Sequence, residues 1–157
     1  MARGPSPRAV MRGLTLMELL VVLAVLVILT GVAIPSLHEI VLAQAVRAAS
    51  DDVFSSLLLA RSEAIARNAA VSVTPSAGNW SEGWSIEDAD GEVVGRQARM
   101  ARVVILGPGR VTYNGAGRAS TGGASIDLAA KGGRSAHASC IRIDLSGMPV
   151  QQRASCP

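Results

Sequence analysis

The chain has 157 residues, and its charged side chains are 15 Lys or Arg against 12 Asp or Glu, a formal net charge of +3. Three of the arginines, Arg3, Arg8 and Arg12, lie within the first 13 residues, so the other 12 basic side chains balance the 12 acidic ones. The basic character of the whole chain is therefore no argument for a nucleic-acid partner, and the length allows one modest domain.

The N-terminal third begins with an arginine leader, residues 1–13, followed by an apolar run over residues 14–34. As a helix, these 21 residues would extend about 31 Å, the thickness of the hydrocarbon core of a bilayer. We therefore predict a membrane-spanning helix, with the leader in the cytoplasm because positive charge stays on that side. A secretory signal cut near Ala33 is the alternative. One carboxylate, Glu18, interrupts the apolar run, and a charge at that depth needs a function.

Residues 35–70 continue the helical pattern in amphipathic form. Pro35 removes one backbone hydrogen bond and is expected to bend the helix without ending it. Small and apolar residues then recur at steps of three or four, with polar residues on the other faces. The predicted buried stripe consists of Leu37, Val41, Ala45, Ala49, Val53, Leu57, Ala60 and Ala64.

Residues 71–157 change to short β-type runs separated by turn signals such as Asp90-Gly91 and Gly107-Pro108-Gly109. They predict a small antiparallel β-sheet that packs on the amphipathic half of the helix, and hence an α+β fold. Cys140 and Cys156 flank the turn signal Ser146-Gly147-Met148-Pro149. A hairpin about that turn brings the two cysteines nearly opposite each other, which predicts a disulfide in a domain outside the cytoplasm.

The N-terminal sequence Gly13-Leu14-Thr15-Leu16-Met17-Glu18-Leu19-Leu20, with Pro35 farther along, closely resembles the class III signal of type IV pilins and type II secretion pseudopilins. The rest of the chain resembles the GspH/FimT branch of that superfamily. The resemblance is carried by Ala60-Arg61-Ser62-Glu63-Ala64-Ile65 with Asn68, Trp80 with Gly83-Trp84, Tyr113-Asn114-Gly115-Ala116-Gly117-Arg118, and Cys140-Ile141-Arg142-Ile143-Asp144-Leu145-Ser146-Gly147. It implies the pilin fold, a long bent N-terminal helix packed against a small antiparallel sheet.

The resemblance also implies roles for the N-terminal residues. A prepilin peptidase would cut between Gly13 and Leu14, and the new amine of Leu14 would be methylated. The Glu18 carboxylate would pair with the N-terminal ammonium of an adjacent subunit, while Thr15 and Pro35 belong to the same assembly motif. The alternative for Glu18 is that its side chain reaches the lipid headgroups, one turn from the end of the span.

The function that the resemblance implies is that of a minor pseudopilin in a type II secretion system, which assembles through its helix and supports export of folded proteins. The alternative is a minor pilin that primes a type IV pilus or assists DNA uptake. Either protein would cross the bacterial inner membrane once, with a cytoplasmic N-terminus and a periplasmic C-terminal domain. Its partners would be the prepilin peptidase, membrane lipid and other pilins or pseudopilins.

An anion or DNA contact remains an alternative for Arg110, Arg118, Arg142 and Arg153. Competence-type relatives carry a Gly-Arg-x-Arg run where this chain has Gly147-Met148-Pro149-Val150, which argues against nucleic acid. The other alternative is that an arginine-rich face docks on the acidic run of a neighbour, Glu82 to Glu92. We expect no enzyme activity, cofactor or metal, because His38 and His137 lack the spacing of a triad or metal site. Asp88 to Glu92 is interpreted as a hairpin turn.

Overall fold

The computed structural model describes residues 15–120, 123–132 and 137–157. A single helix, α1 (Leu16–Arg67, 52 residues), is followed by a region of short strands. The chain divides into two compact units, one that ends at Leu37 and one that comprises His38–Pro157. The helix contributes residues to both units, and each unit is described by itself below.

In the first unit, α1 is apolar on every side. Every large apolar residue described between Leu16 and Leu29 is exposed. Because successive helical residues point about 100° apart, these side chains are distributed around the whole helix. The Thr30 hydroxyl donates to the carbonyl oxygen of Leu26 at 2.9 Å, so this polar group is satisfied within the helix. Among the described residues, no helix meets the combined length and hydropathy of a membrane span. The span over residues 14–34 stays a prediction, whereas α1 does continue through Pro35.

In the second unit, one face of α1 forms the centre of the core. Its buried residues are Leu42, Val46, Ala49, Val53, Leu57, Ala60 and Ala64. The prediction was right from Ala49 onward but wrong at the start, because Leu37 and Val41 are exposed and Leu42 and Val46 are buried instead. A strict step of four overshoots the 3.6-residue turn by about 40°, so repeated steps of four drift off one face.

The strands form two four-stranded antiparallel sheets. The strands are β1 (Val71–Pro75), β2 (Trp84–Glu87), β3 (Val93–Gln97), β4 (Val103–Leu106), β5 (Val111–Tyr113), β6 (Ala124–Ala130), β7 (Ala138–Ile143) and β8 (Pro149–Gln152). The first sheet has the order β3-β2-β1-β5 and the second has the order β4-β6-β7-β8. Short 3-10 helices, Ser76–Gly78 and Trp80–Glu82, connect β1 to β2. The predicted antiparallel β-region is confirmed, and it is divided between two sheets.

Alternation along the strands directs one face of each sheet into the common core. In the second sheet, Ile126 of β6 stands opposite Ile141 of β7, and both are fully buried. Trp80 and Trp84 lie in the same core with ring centroids 5.7 Å apart. Their indole nitrogens donate to the carbonyl oxygen of Pro108 (2.7 Å) and to Ser56 Oγ (2.9 Å), respectively, so neither ring buries an unsatisfied donor.

Candidate assembly site

The first turn of α1 holds the predicted assembly residues Thr15 and Glu18. Thr15 precedes the helix, and its Oγ1 accepts a hydrogen bond from the backbone N–H of Glu18 at 3.2 Å. A threonine in this position is an N-cap, because its oxygen satisfies one of the backbone donors that a helix start leaves free. The hydroxyl therefore fixes the backbone at Glu18. Gly13 and Leu14, the predicted processing site, lie outside the described residues.

The Glu18 carboxylate lies among exposed apolar side chains. Within residues 15–31 it is the only charged side chain, and its carboxylate makes no ion pair or hydrogen bond there. Its neighbours Met17, Leu19 and Leu20 are all exposed. A negative charge near a helix N-terminus interacts favourably with the helix dipole, which gives Glu18 local support. Removing the surrounding surface from water would nevertheless leave the charge in need of a cation.

The predicted disulfide between Cys140 and Cys156 is confirmed, with the two Cα atoms 5.0 Å apart. The register differs from the expected hairpin, because Cys140 stands opposite Gln152 rather than Cys156. The last five residues instead return across the outer face of the second sheet. There the backbone N–H of Cys156 donates to Asp127 Oδ1 at 3.2 Å. The disulfide therefore holds the C-terminus on β6 and β7.

The four arginines proposed for anion contact lie on separate elements. Arg110 immediately precedes β5 and Arg118 lies in the turn after it, whereas Arg142 belongs to β7 and Arg153 follows β8. In the described part of the chain none of the four forms an ion pair, and no hydrogen bond links one of them to another. Their predicted role stays a prediction.

The acidic run is partly neutralised within the chain. Glu82 pairs with Arg99 at 3.2 Å, and Asp88 pairs with Arg67 of α1. The other Asp88 oxygen accepts the backbone N–H groups of Asp90 (3.0 Å) and Glu92 (2.8 Å). The Asp88 N–H donates to the carbonyl oxygen of Glu92, which closes the β2–β3 turn. The segment from Asp88 to Glu92 is a hairpin turn, as predicted.

Comparison with known proteins identifies the family to which this chain belongs. Residues 49–147 match the family described as Type II transport protein GspH, and this match covers more than half of the chain. The chain belongs to the GspH family. No curated protein matches this GspH-family chain at a significant level.

Two solved structures share the fold of this GspH-family chain. Both are crystal structures of the type IV minor pilin FimU from Pseudomonas aeruginosa strain PAO1, in different crystal forms. One is 17% identical, covers 68% of this chain and 91% of its own, and gives a TM-score of 0.59. The other is 18% identical, covers 71% and 88%, and gives a TM-score of 0.58. The long N-terminal helix with antiparallel β-structure is therefore the type IV pilin fold, as predicted.

The structure of the GspH-family domain also contains contacts that the sequence did not reveal. Arg61 of α1 donates from Nε to the carbonyl oxygen of Gly117 at 3.0 Å, and its Nη1 lies 3.5 Å from Met148 Sδ. His137 Nε2 lies 2.9 Å from Glu39 Oε2. These partners are 56, 87 and 98 residues apart, and no local motif marks them. No group of three His, Cys, Asp or Glu side chains is placed to hold a metal among the residues described.

Tyr113 is the last residue of β5. Its side chain is fully buried, and its hydroxyl has no hydrogen-bond partner among the described residues. Burial raises the pKa of Tyr113 to about 12, against an opposing effect of the Arg61 charge and a smaller reinforcing effect of Asp144. The pKa of Asp144 itself is lowered, first by the hydrogen bond from the Ser146 hydroxyl. The turn that holds Asp144 is therefore fixed by its own side chains.

Proposed function

We propose that this chain is a minor pseudopilin of a type II secretion system, a subunit that joins a periplasmic filament through α1 and supports export of folded proteins. The observation that carries the proposal is the match of residues 49–147 to a family described as a type II transport protein. The N-terminal sequence supports it, because Glu18 is the one charged side chain over residues 15–31 and its carboxylate has no partner among the described residues.

The proposed assembly begins with removal of the leader. A prepilin peptidase cleaves between Gly13 and Leu14 on the cytoplasmic side, and the Leu14 amine is methylated. Residues 14–34 then anchor the chain in the inner membrane, with the cytoplasm on the N-terminal side and the β-domain in the periplasm. The support for this topology is the 21-residue apolar run and the arginines before it.

Glu18 then pairs with the ammonium of an adjacent subunit. Two opposite charges that are removed from water together cost less than either charge alone, so the pair favours one axial register of neighbouring helices. The Thr15 hydroxyl contributes by capping the backbone N–H of Glu18, which orders the first turn. The carboxylate is thereby presented from a fixed backbone.

A second candidate is a minor pilin of a type IV pilus system, which primes pilus assembly or assists DNA uptake. The observation that favours it is the shared fold with the type IV minor pilin FimU. Both candidates use the same helix, so the N-terminal motif does not distinguish them.

Deletion of the gene tests the two candidates against each other. For a pseudopilin, the deletion strain retains exported proteins in the periplasm, while surface pili and DNA uptake are unchanged. Restoring the wild-type gene restores export. Normal export together with lost pili or lost DNA uptake would reject the secretion assignment in favour of the second candidate.

A further inference from the structure

At one end of the second sheet, every strand begins or ends next to a basic residue. Arg102 directly precedes β4, and Lys131 directly follows β6. His137 precedes β7, and Arg153 follows β8. Each strand is antiparallel to its neighbour, so the starts of β4 and β7 and the ends of β6 and β8 lie at the same end of the sheet. We call Arg102, Lys131, His137 and Arg153 the basic end of the second sheet.

Backbone contacts hold the residues of the basic end in a row. The Lys131 N–H donates to the carbonyl oxygen of Arg102 at 2.9 Å, so these two residues lie side by side on neighbouring strands. The Ala130 N–H donates to the carbonyl oxygen of His137 at 3.3 Å, which continues the row to β7. The register of β8 against β7 places Arg153 two residues along β7 from His137. The folded sheet therefore brings together basic residues that are far apart in the sequence.

The basic end carries an excess of positive charge. Arg102, Lys131 and Arg153 are exposed, and none of the three forms an ion pair with any described residue. The acidic side chain that contacts this end is Glu39 of α1, whose Oε2 lies 2.9 Å from His137 Nε2. Three unpaired cations therefore accompany one carboxylate.

Other charges near the second sheet do not neutralise the basic end. In the loop before β4, Arg99 pairs with Glu82 at 3.2 Å, so the two charges cancel. The next carboxylates of α1, Asp51 and Asp52, lie about 18 Å beyond Glu39 along the helix. At physiological salt, charges on a surface are screened over about 8 to 10 Å, so these carboxylates have little effect at the basic end.

A short segment of chain connects the basic end to the apolar run. Through His137 the basic end contacts Glu39, and Ile34, the last residue of the apolar run, precedes Glu39 by five residues. Five residues extend about 7.5 Å as a helix and at most about 17 Å when fully extended. With residues 14–34 in the membrane, as proposed above, this connection keeps the basic end within reach of the lipid headgroups.

The chemistry of this region matches an anionic membrane surface. Anionic phospholipids attract Lys and Arg side chains within about one Debye length, and both side chains are long enough to place their charge at the headgroups. Arginine can also donate two parallel hydrogen bonds to a phosphate group. Ile40 and Val41, which follow Glu39 on α1, are exposed apolar residues. Exposed apolar residues near basic ones are typical of segments that lie at a lipid–water interface.

We propose that the basic end of the second sheet binds the anionic headgroups of the membrane that anchors the same chain. Arg102, Lys131 and Arg153 contact the phosphate groups, and Ile40 and Val41 lie at the lipid–water boundary. This inference rests on the membrane topology in the proposed function. It adds that the β-domain is held at the membrane surface before the subunit joins a filament. Because the contact stabilises the unassembled subunit, incorporation into a filament has to break it.

Fluorescence quenching by lipid headgroups tests the contact in the full-length chain, reconstituted in lipid nanodiscs. A maleimide fluorophore is attached at Ala101→Cys, beside Arg102, and some of the phosphatidylcholine carries a nitroxide quencher on its headgroup. The native cysteines are paired in a disulfide and do not react with the label. We expect that replacing about one third of the phosphatidylcholine by anionic phosphatidylglycerol raises the quenching by about twofold or more.

A second label position is the matched control for the distance from the membrane. Leu145 is exposed and lies between β7 and β8, at the opposite end of the second sheet. Quenching of a fluorophore at Leu145→Cys should not change with phosphatidylglycerol. An equal increase at Ala101→Cys and Leu145→Cys, or no increase at Ala101→Cys, would overturn the proposal.

Charge reversal tests which residues make the contact. Two triple variants, which change the net charge equally, are compared with the label at Ala101→Cys. The first variant reverses the basic end and combines Arg102→Glu, Lys131→Glu and Arg153→Glu. The control variant reverses exposed arginines elsewhere and combines Arg110→Glu, Arg118→Glu and Arg142→Glu. The first should lower the quenching to the level in phosphatidylcholine alone, and the control should retain the increase. Equal losses in the two variants would overturn the assignment to the basic end.

The dependence on salt needs no substitution at the basic end. Raising the salt concentration to about 1 M shortens the Debye length to about 3 Å, so the increase in quenching caused by phosphatidylglycerol should disappear. An increase that persists at this salt concentration would contradict a contact made by the three cations.

Extraction with alkaline carbonate distinguishes a failed contact from a failed topology. If the chain resists extraction from vesicles of the same lipids but phosphatidylglycerol does not change the quenching at Ala101→Cys, the headgroup contact alone is wrong. If alkaline carbonate extracts the chain, the proposed membrane span is wrong, and the headgroup contact is rejected with it.

Discussion

At the scale of single residues, Tyr113 shows how the core accommodates a polar group without bonding it. The ring fills space between α1 and the first sheet, but the hydroxyl has no partner among the described residues. An unmade hydrogen bond in a buried site costs about 1 to 3 kcal/mol. The apolar part of the side chain must therefore account for its contribution to stability.

We predict that Tyr113→Phe leaves the free energy of unfolding at pH 7 unchanged or raises it by up to about 1 kcal/mol. The replacement removes the unsatisfied hydroxyl and retains the ring. Chemical denaturation of both proteins in the same detergent, followed by tryptophan fluorescence, measures the difference. A loss of more than about 1 kcal/mol would mean that the hydroxyl does have a partner.

The same residue predicts a dependence of stability on alkaline pH. Its folded-state pKa, about 12, lies above the ordinary value of 10.0. The unfolded chain therefore loses the tyrosine proton first, and the stability due to this residue is complete below pH 10 and is lost as the pH rises towards 12. The total loss is at most about 3 kcal/mol. The Tyr113→Phe variant should not show this loss of stability, because it has no hydroxyl to ionise. If the free energy of unfolding fell equally between pH 10 and pH 12 in both proteins, the prediction would be wrong.

The disulfide was predictable from the sequence because its signal is local, whereas the assembly role of Glu18 stays a prediction. Glu18 is conspicuous because no other charge lies near it, and the cysteine pair is conspicuous because a turn lies between its members. Arg61 was part of a recognised motif, but its contacts were not predictable. Its partners Gly117 and Met148 lie in loops that extend from two different sheets, and they become neighbours only when both sheets pack on α1.

At the scale of elements, α1 combines two surface characters in one continuous helix. Up to Leu29 its apolar residues are exposed on all sides, whereas between Leu42 and Ala64 one face is buried and apolar residues outside that face, such as Leu59, stay exposed. The change predicts where substitutions matter for the folded domain. The buried face makes the apolar contacts with the sheets, while polar residues beside it, such as Asp51 and Ser56, accept hydrogen bonds from Gln151 and Trp84.

We predict that Leu57→Ala lowers the free energy of unfolding by about 2 to 5 kcal/mol, because Leu57 is fully buried and its truncation leaves a cavity. Leu59→Ala is the matched control, since the same substitution two positions away alters a side chain that is 40% exposed. We expect a loss below about 1 kcal/mol for it. Chemical denaturation followed by the fluorescence of Trp80 and Trp84 measures the loss of unfolding free energy in both variants. Equal losses would contradict the assignment of the buried face.

The short strands were predictable, but their division into two sheets was not. Strand signals such as Val111 to Tyr113 are local, because they depend on β-branched and aromatic residues between turns. Pairing joins distant segments instead. β5 returns to β1 of the first sheet, while β4, which precedes it directly, pairs with β6 of the second. The sequence of β4 or β5 alone does not indicate which strand it pairs with.

At the scale of the whole molecule, the separate features agree on an assembling subunit. The family match and the shared fold are those of pilin-like subunits, and the Glu18 carboxylate, which has no partner among the described residues, is the group through which we propose that the N-terminal helix associates. In the proposed assembly, the helix sets the axial register of the subunits through Glu18.

Incorporation of a Glu18→Ala variant into filaments tests this account most directly. Glu18→Asp is the matched control because it keeps the charge, and both variants should still carry an N-methylated Leu14 by mass spectrometry. We predict that Glu18→Ala is processed but at least tenfold depleted from isolated filaments, which corresponds to about 1.4 kcal/mol or more per subunit, and that Glu18→Asp retains more of the wild-type level. Incorporation of Glu18→Ala at the wild-type level would contradict the central role of this carboxylate.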